Sequence, residues 1–313
     1  MEESTSRMTY LVGDIGGTNT RLALADVTGV QPASVMRASN DAYESFDAVL
    51  SSYLQKTDPD SLAGVCIAIA GPVQAGKGTL TNRNWSLDVD SLRAQARAPH
   101  AELINDLSAL GYALARVSTE HVFGSHQGAT NGQRLVVGMG TGFNVSPTRA
   151  TASGVTAMES ELGHAELPYS VSQLLQDALG AAAQPFNTYE DCFSGRGLER
   201  LHDAVCGEKQ DGKSIMESFA AEQPDAQRTV LLFARALGRM TQSVIHQFMP
   251  RDGIAFAGSA SRGILTSKAL PAFVEELTAD HHGIVDAHHF PISLITEDVA
   301  ALEGCLQYLS QTS

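Results

Sequence analysis

Cysteine is scarce in this chain, and its placement excludes a disulfide scaffold. The four cysteines are Cys66, Cys192, Cys206 and Cys305, and no two of them form a CxxC pair. Their scatter through apolar stretches implies reduced thiols and a cytosolic protein. No apolar run approaches the length of a membrane span. Met1 to Thr9 is polar, so no signal peptide is expected and the expected location is cytoplasmic. Positive charge is in deficit: 21 Lys and Arg face 35 Asp and Glu, a net charge of −14. Such a field repels polyanions, which makes nucleic acid and anionic membranes poor partners. Two nucleotide fingerprints are also missing. There is no GxxxxGK[ST], and no GxGxxG opens a helix.

What is present is an ordinary globular composition with 28 glycines and 43% hydrophobic residues. A length of 313 residues is too long for one small core and implies two domains. Patterning reads as α/β. Tyr10 to Val12, the turn Gly13-Asp14-Ile15-Gly16-Gly17-Thr18-Asn19 and Arg21 to Val27 form a predicted hairpin. Phe46 to Gln55 predicts a helix and Gly64 to Ala70 a buried strand. Thr79 to Trp85 predicts a strand, and Ser91 a helix cap. Ala101 to Ile104 predicts a strand running into Asn105-Asp106 and a helix over Leu107 to Val117. Arg134 to Val137 predicts a strand entering Gly138-Met139-Gly140-Thr141-Gly142, with Phe143 to Val145 as its hairpin partner. The second half is more helical: Val171 to Leu179, Gly197 to Ala204 and Ala226 to Phe248. Late strands at Gly253 to Ala257 and Ile292 to Ile295 precede a helix from about Glu297 to Leu309. Two halves that each open strand, glycine turn, strand suggest two related α/β domains with a cleft between them.

Glycine lets backbone N–H groups converge on phosphate without a Cβ in the way. Gly16, Gly17, Thr18 and Asn19 offer that, and the Asp14 carboxylate suits Mg²⁺ held through water. Gly140, Thr141 and Gly142 form a second such turn. Either turn alone reads equally well as an ordinary hairpin turn.

Taken together the motifs resemble bacterial glucokinases of the enteric type, within the actin-like ATPase fold of hexokinases and sugar kinases. The residues that carry the resemblance are Val12-Gly13-Asp14-Ile15-Gly16-Gly17-Thr18-Asn19-Thr20-Arg21-Leu22-Ala23, Ile67-Ala68-Ile69-Ala70-Gly71-Pro72-Val73, Thr81-Asn82-Arg83-Asn84-Trp85, Leu103-Ile104-Asn105-Asp106, Val137-Gly138-Met139-Gly140-Thr141-Gly142, Glu161-Leu162-Gly163-His164 and Glu190-Asp191-Cys192-Phe193-Ser194-Gly195. Their order and spacing match over nearly the whole chain.

The resemblance implies an α/β protein of two ribonuclease H-like, actin-like ATPase domains around a central cleft. Residues 1–107 plus about 298–313 would form the smaller domain and 108–297 the larger. It implies ATP and Mg²⁺ as cofactors, a hexose (glucose first) as acceptor, and a homodimer. The cysteine-rich cluster of related zinc-bearing kinases is absent after the Gly163-His164 segment, so no structural zinc is expected there. Asp106 becomes the general base that takes the proton of the sugar 6-hydroxyl; on spacing alone it reads as a helix cap. Asn105, Glu161, His164 and Glu190, with Asp106, become the sugar contacts, since carboxylate, amide and imidazole pair directionally with hydroxyls. Alone, His164 reads as a buried satisfied histidine and Glu161 as a surface carboxylate. Asp14 would hold Mg²⁺ through water, and Thr18, Asn19 and Thr141 the phosphates. The Gly258-Ser259 turn would lie near the adenosine.

Three positions depart from the family pattern: Asn144 where glycine is usual, Ser259 where a second glycine is usual, and Glu303 in a turn of small residues. All three read as lying on the nucleotide side, away from the base and the sugar contacts. The His281, His282, His288 and His289 cluster around Asp286 reads as a solvated stretch, and the apolar helix through Leu231, Leu232 and Phe233 as core or dimer interface. Competing functions are a non-catalytic sugar sensor, a kinase for another hexose, and an actin-like ATPase without sugar. A DNA-binding repressor would need a helix-turn-helix ahead of the first strand, where about nine residues stand.

Overall fold

A computed structural model describes residues 8–81, 83–126, 130–279 and 285–312. The chain divides into two compact units. The first comprises 1–118, 151–157 and 297–313, and the second 119–150 and 158–296.

In the first unit, β1 (Tyr10–Ile15) turns into β2 (Asn19–Asp26), followed by β3 (Gly29–Val30), β4 (Met36–Ser39) and helix α1 (Phe46–Thr57). Strand β5 (Gly64–Ile69) leads to the small sheet of β6 (Val73–Gln74), β7 (Lys77–Thr79) and β8 (Ser86–Asp88). Helix α2 (Val89–Ala96), β9 (Ala101–Asn105) and α3 (Asp106–Ala113) complete the run. The main sheet has the order β3-β2-β1-β5-β9, with β4 on β2. β1 is antiparallel to β2 and parallel to β5, which is parallel to β9.

Period-two alternation sorts this sheet's side chains onto two faces. Leu11, Ile15, Val65, Ile67 and Ile69 pack with Phe46, Val49, Leu50 and Tyr53 of α1 and Leu92 of α2. Val12, Cys66 and Ala68 pack with Ala109 and Tyr112 of α3 and with the C-terminal helix.

In the second unit, β10 (Glu120–Phe123) is followed by β11 (Gln133–Met139) and β12 (Phe143–Thr151). Strand β13 (Gly154–Ala157) belongs to the first unit and packs on α3. Helices α4 (Tyr169–Leu179), α5 (Tyr189–Cys192), α6 (Gly195–Cys206), α7 (Gly212–Ala220) and α8 (Pro224–Phe248) precede β14 (Ile254–Ala257). Helices α9 (Ser259–Leu265) and α10 (Leu270–Thr278) lead to β15 (Ile292–Leu294). Helix α11 (Ala300–Thr312) returns to the first unit, where it supplies Leu302, Cys305, Leu306 and Leu309. Within the second unit the strand order is β10-β15-β14-β11-β12. β11 is antiparallel to β12 and parallel to β14, which is parallel to β15.

The two units thus share one topology: a hairpin whose first strand continues into two parallel neighbours. The expected repeat is present in strand order, although only its glycine turns are visible in sequence. Helix α8 is core: Val230, Phe233, Leu237 and Val244 are fully buried. No helix among the described residues is long and apolar enough to cross a membrane.

Two local expectations are corrected. Thr79 to Trp85 is not a strand; β7 ends at Thr79, and a turn closed by Leu80 N–H to the Trp85 carbonyl at 3.1 Å leads to β8. Ser91 does not cap a helix. Asp88 does, accepting from the N–H groups of Asp90 and Ser91. Asp88 wins because β8 runs straight into α2, which leaves Ser91 already inside the first turn.

Candidate active site

The first unit gathers its predicted residues at one sheet edge. Ile15, Ile69 and Asn105 stand in one row across three parallel strands. The chain leaves that row as Gly16-Gly17 after β1, as Ala70-Gly71 after β5, and as Asp106 after β9. This is the carboxyl edge, where α/β sheets bind ligands. Asn105 is the N-cap of α3: its Oδ1 accepts from Leu107 N at 2.9 Å and Ser108 N at 3.4 Å, and its Nδ2 donates to the Gly71 carbonyl at 3.3 Å. The cap reading made for Asp106 therefore falls to its neighbour. Asp106 is the first helical residue, half-buried, with Oδ1 accepting from Leu107 N at 2.9 Å.

The glycine turn is held from beneath by Asn40, which is fully buried. Its Nδ2 donates to the Gly16 carbonyl at 2.8 Å, its N–H donates to the Thr18 carbonyl at 2.9 Å, and its Oδ1 accepts from Thr20 Oγ1 at 2.8 Å. Thr18 and Asn19 stay exposed at the tip. Asn40 was not picked out from sequence, because nothing local ties it to a turn over twenty residues earlier. Asp14 pairs with Arg21 Nη1 at 3.0 Å. Burial raises the Asp14 carboxyl above its usual range, and the Arg21 guanidinium opposes that only in part. Asp14 stands in β1 just ahead of the exposed turn, and a carboxylate there is a donor that accommodates Mg²⁺ with water in between.

The second unit gathers the rest around the start of β12. The Glu161 to His164 segment forms a single 3₁₀ turn. It is tied to the start of α5 by Leu167 N–H to the Asn187 carbonyl at 2.9 Å and Tyr189 N–H to the Ala165 carbonyl at 3.1 Å. Gly163 is wedged in between: a Cβ there would meet the Phe143 carbonyl oxygen at 2.1 Å and Glu190 Cβ at 3.7 Å. Glu190 accepts from Phe143 N at 3.2 Å and from Arg196 Nη2 at 2.8 Å. Its helix is fixed by a capping box between Thr188 and Asp191. Burial alone would raise the Asp191 carboxyl, but bonds from Thr188, Asn187 and Arg200 outweigh it and hold it below its usual range. Glu161 and His164 side chains are 66% and 75% exposed with 4.0 Å between Oε2 and Nε2, so the buried-histidine reading does not apply.

The second glycine turn, Gly140 to Gly142, follows β11, and Gly258 follows the neighbouring parallel strand β14. Both turns border a cavity of about 630 Å³. Gly140, Thr141 and Ser259 line it from the two turns, and Leu198, Met216 and Ala260 supply apolar surface. Arg196 and Lys213 line it together with Glu199, Asp211 and Glu217, so glycine-turn backbone, an apolar wall and cations for phosphate are all at hand for a nucleotide.

The departures resolve differently from expectation. Asn144 reaches toward the predicted sugar segment: Nδ2 donates to the Ser160 carbonyl and to Glu161 Oε2 at 3.4 Å, and Oδ1 accepts from Leu162 N at 3.0 Å. The expectation that it stands clear of the sugar contacts is corrected. Glu303 is a helical residue of α11, not part of a turn; it accepts from Val30 N at 2.8 Å and Arg116 Nε at 2.9 Å, all in the first unit. Ser259 does line the cavity, as the first residue of α9. Asp286 is occupied as a cap, accepting from His288 N at 2.9 Å, and pairs with the His288 ring at 2.8 Å. His281, His282 and Asn82 lie outside the described residues.

Comparison with known proteins follows the same line. The glucokinase of Shigella dysenteriae is 28% identical over 312 residues, covering 96% of this chain and 97% of the relative. A glucokinase from an Antarctic psychrotroph superposes with a TM-score of 0.81 at 25% identity, covering 96% of this chain and 98% of the other. The glucokinase of Balamuthia mandrillaris, in complex with glucose, shares the fold with a TM-score of 0.75 at 22% identity, covering 99% and 95%. The family model for glucokinase matches residues 11–312, nearly end to end, so this chain, with its paired hairpin-and-parallel-strand units, belongs to the glucokinase family and has the actin-like ATPase fold.

Proposed function

We propose that this chain transfers the γ-phosphoryl group of ATP to the 6-hydroxyl of glucose. The observation that carries the reading is the glucokinase match over residues 11–312, with the glycine turns and Asp106 standing at the carboxyl ends of parallel strands. Asp106 accepts the proton of the attacking hydroxyl, the new O–P bond forms as the bond to ADP breaks, and ADP leaves with the released charge. Asn105, Glu161, His164 and Glu190 hold the ring hydroxyls. Gly16, Gly17, Thr18, Asn19, Gly140, Thr141 and Gly142 hold phosphates, and Gly258 turns the chain into Ser259, which lines the cavity of about 630 Å³ that would take the adenosine. Asp14 would hold Mg²⁺ through water, and the ion would supply positive charge to neutralise the phosphates. The protein acts as a cytoplasmic homodimer. A coupled assay for ADP release with Mg²⁺, ATP and a panel of hexoses tests this. Release with glucose supports it; release with another hexose only changes the acceptor. Sugar binding by calorimetry without any release would replace the enzyme by a non-catalytic sensor.

Two expected results arise here. Asn144→Gly removes three bonds that seat Glu161, so KM for glucose should rise about tenfold while kcat changes less. Steady-state kinetics with varied glucose checks it, and an unchanged KM would release Asn144 from the sugar site. Asp14→Asn should shift the Mg²⁺ concentration for half-maximal activity upward, by about tenfold, with KM for glucose unmoved. Equal Mg²⁺ dependence in both proteins would remove Asp14 from the metal's surroundings.

A further inference from the structure

The C-terminal end of α6 carries a side-chain cluster that the phosphotransfer reaction does not use. His202 and Cys206 lie one helical turn apart and share a face. His202 is only 2% exposed. Its Nδ1 lies 2.9 Å from Thr229 Oγ1, and that hydroxyl gives its proton to the Asp225 carbonyl at 2.9 Å. Thr229 therefore accepts from the ring, Nδ1 carries the hydrogen, and Nε2 presents its lone pair. Nε2 faces Cys206 Sγ at 3.5 Å. Helix α6 ends at Gly207, whose φ of 77° places it in the left-handed region. The chain turns there, and Glu208 follows. The imidazole nitrogen, the thiol sulfur and a Glu208 carboxylate oxygen all lie within 4.8 Å of one another.

We infer that His202, Cys206 and Glu208 bind a thiophilic divalent cation of the Zn²⁺ class. A tetrahedral zinc with Zn–S of about 2.3 Å and Zn–N of about 2.0 Å sets sulfur and nitrogen roughly 3.5 Å apart. That is the separation already present. The thiol has one proton and two acceptors in reach, Nε2 and the His202 carbonyl at 3.1 Å, so a proton serves only one of them. A cation in its place is bound by sulfur and nitrogen together, and the thiol proton passes to solvent. Thiolate, imidazole and carboxylate form a borderline-soft donor set that suits zinc over calcium or magnesium. Water takes the fourth position. Thr229, on α8, orients the imidazole from behind, which is the usual role of a metal site's outer hydrogen bond. Cys206 is half-buried and Glu208 exposed, so the ion enters from solvent. Bound there, it ties the end of α6 to α8 through the His202–Thr229 bond.

The test uses the full chain, freed of metal by chelation and titrated first with Co²⁺ and then with Zn²⁺. One Co²⁺ per chain should bind with a thiolate-to-cobalt charge-transfer band in the near ultraviolet. Zn²⁺ should displace it and raise the thermal midpoint. Cys206→Ser should abolish the band. Glu208→Gln, at an exposed position that leaves folding intact, should weaken Co²⁺ binding at least about tenfold. No band at saturating Co²⁺ overturns the site, and so does a band that survives Cys206→Ser. Where Cys206→Ser fails to fold, unchanged Co²⁺ affinity in Glu208→Gln overturns it instead.

Discussion

Replacing Asp106 by Asn is expected to lower kcat by about 10²–10⁴-fold, the range for removing a positioned general base, with a much smaller change in KM for glucose. Asn has the same shape and keeps an oxygen for Leu107 N, the bond that Asp106 Oδ1 accepts at 2.9 Å. It cannot take a proton from an attacking hydroxyl. Folding should be insensitive to the change, because the cap of α3 is Asn105 and stays in place. Circular dichroism and thermal melting of the variant should match the parent. Steady-state kinetics then separates two roles: a loss confined to kcat marks the base, whereas equal losses in kcat and sugar affinity would mean that Asp106 only positions the sugar.

Gly163→Ala is expected to raise KM for glucose by about tenfold or more and to destabilise the second unit by about 1–3 kcal/mol, the usual effect of overpacking. The added Cβ would lie 2.1 Å from the Phe143 carbonyl oxygen. That carbonyl cannot retreat. Its residue is paired with Met139 in β11, and its ring is buried and stacked on Tyr189 with 5.5 Å between centroids. On the other side stands Glu190 Cβ at 3.7 Å. The turn itself has to yield, and it carries Glu161 and His164 with it. Displacement of a substrate-positioning group by about 1 Å is enough to lower turnover about 10²-fold as well. Calorimetry with glucose and thermal melting read the two effects apart. A variant with parental glucose affinity would show that this turn does not hold the sugar.

Both predictions rest on positions that the sequence marked, and on contacts that it did not. The strands were legible because alternation and apolar runs are local patterns: β5, β9 and β11 stand within two residues of expectation, and β1 runs three residues further than expected. Helix α8 was legible for the same reason, through its long apolar periodicity. Helices α7 and α10 went unread, since their short apolar stripes are interrupted by polar and charged residues and Pro271 follows the start of α10. Asn144 was visible only as an odd residue after a glycine turn. Its three bonds reach a segment 16 to 18 residues further on, and spacing gives no hint of which groups will meet there. Arg196, which pairs with Glu190, was hidden in the same way. Glu303 seemed to intrude on a turn, yet it sits on a helix and pairs with Arg116, 187 residues earlier.

The sequence by itself determined the classes of element, the two glycine turns, and the residue types able to bind phosphate and hydroxyl, because backbone freedom, hydrophobic period and side-chain chemistry belong to a residue and its near neighbours. Tertiary structure alone decided which side chain caps which helix, that buried Asn40 clamps the first turn, that Asn144 faces Glu161, and that His202, Cys206 and Glu208 converge. Those outcomes depend on sheet register and helix packing, which bring distant segments within hydrogen-bonding range and leave each buried polar group one place to find its partner.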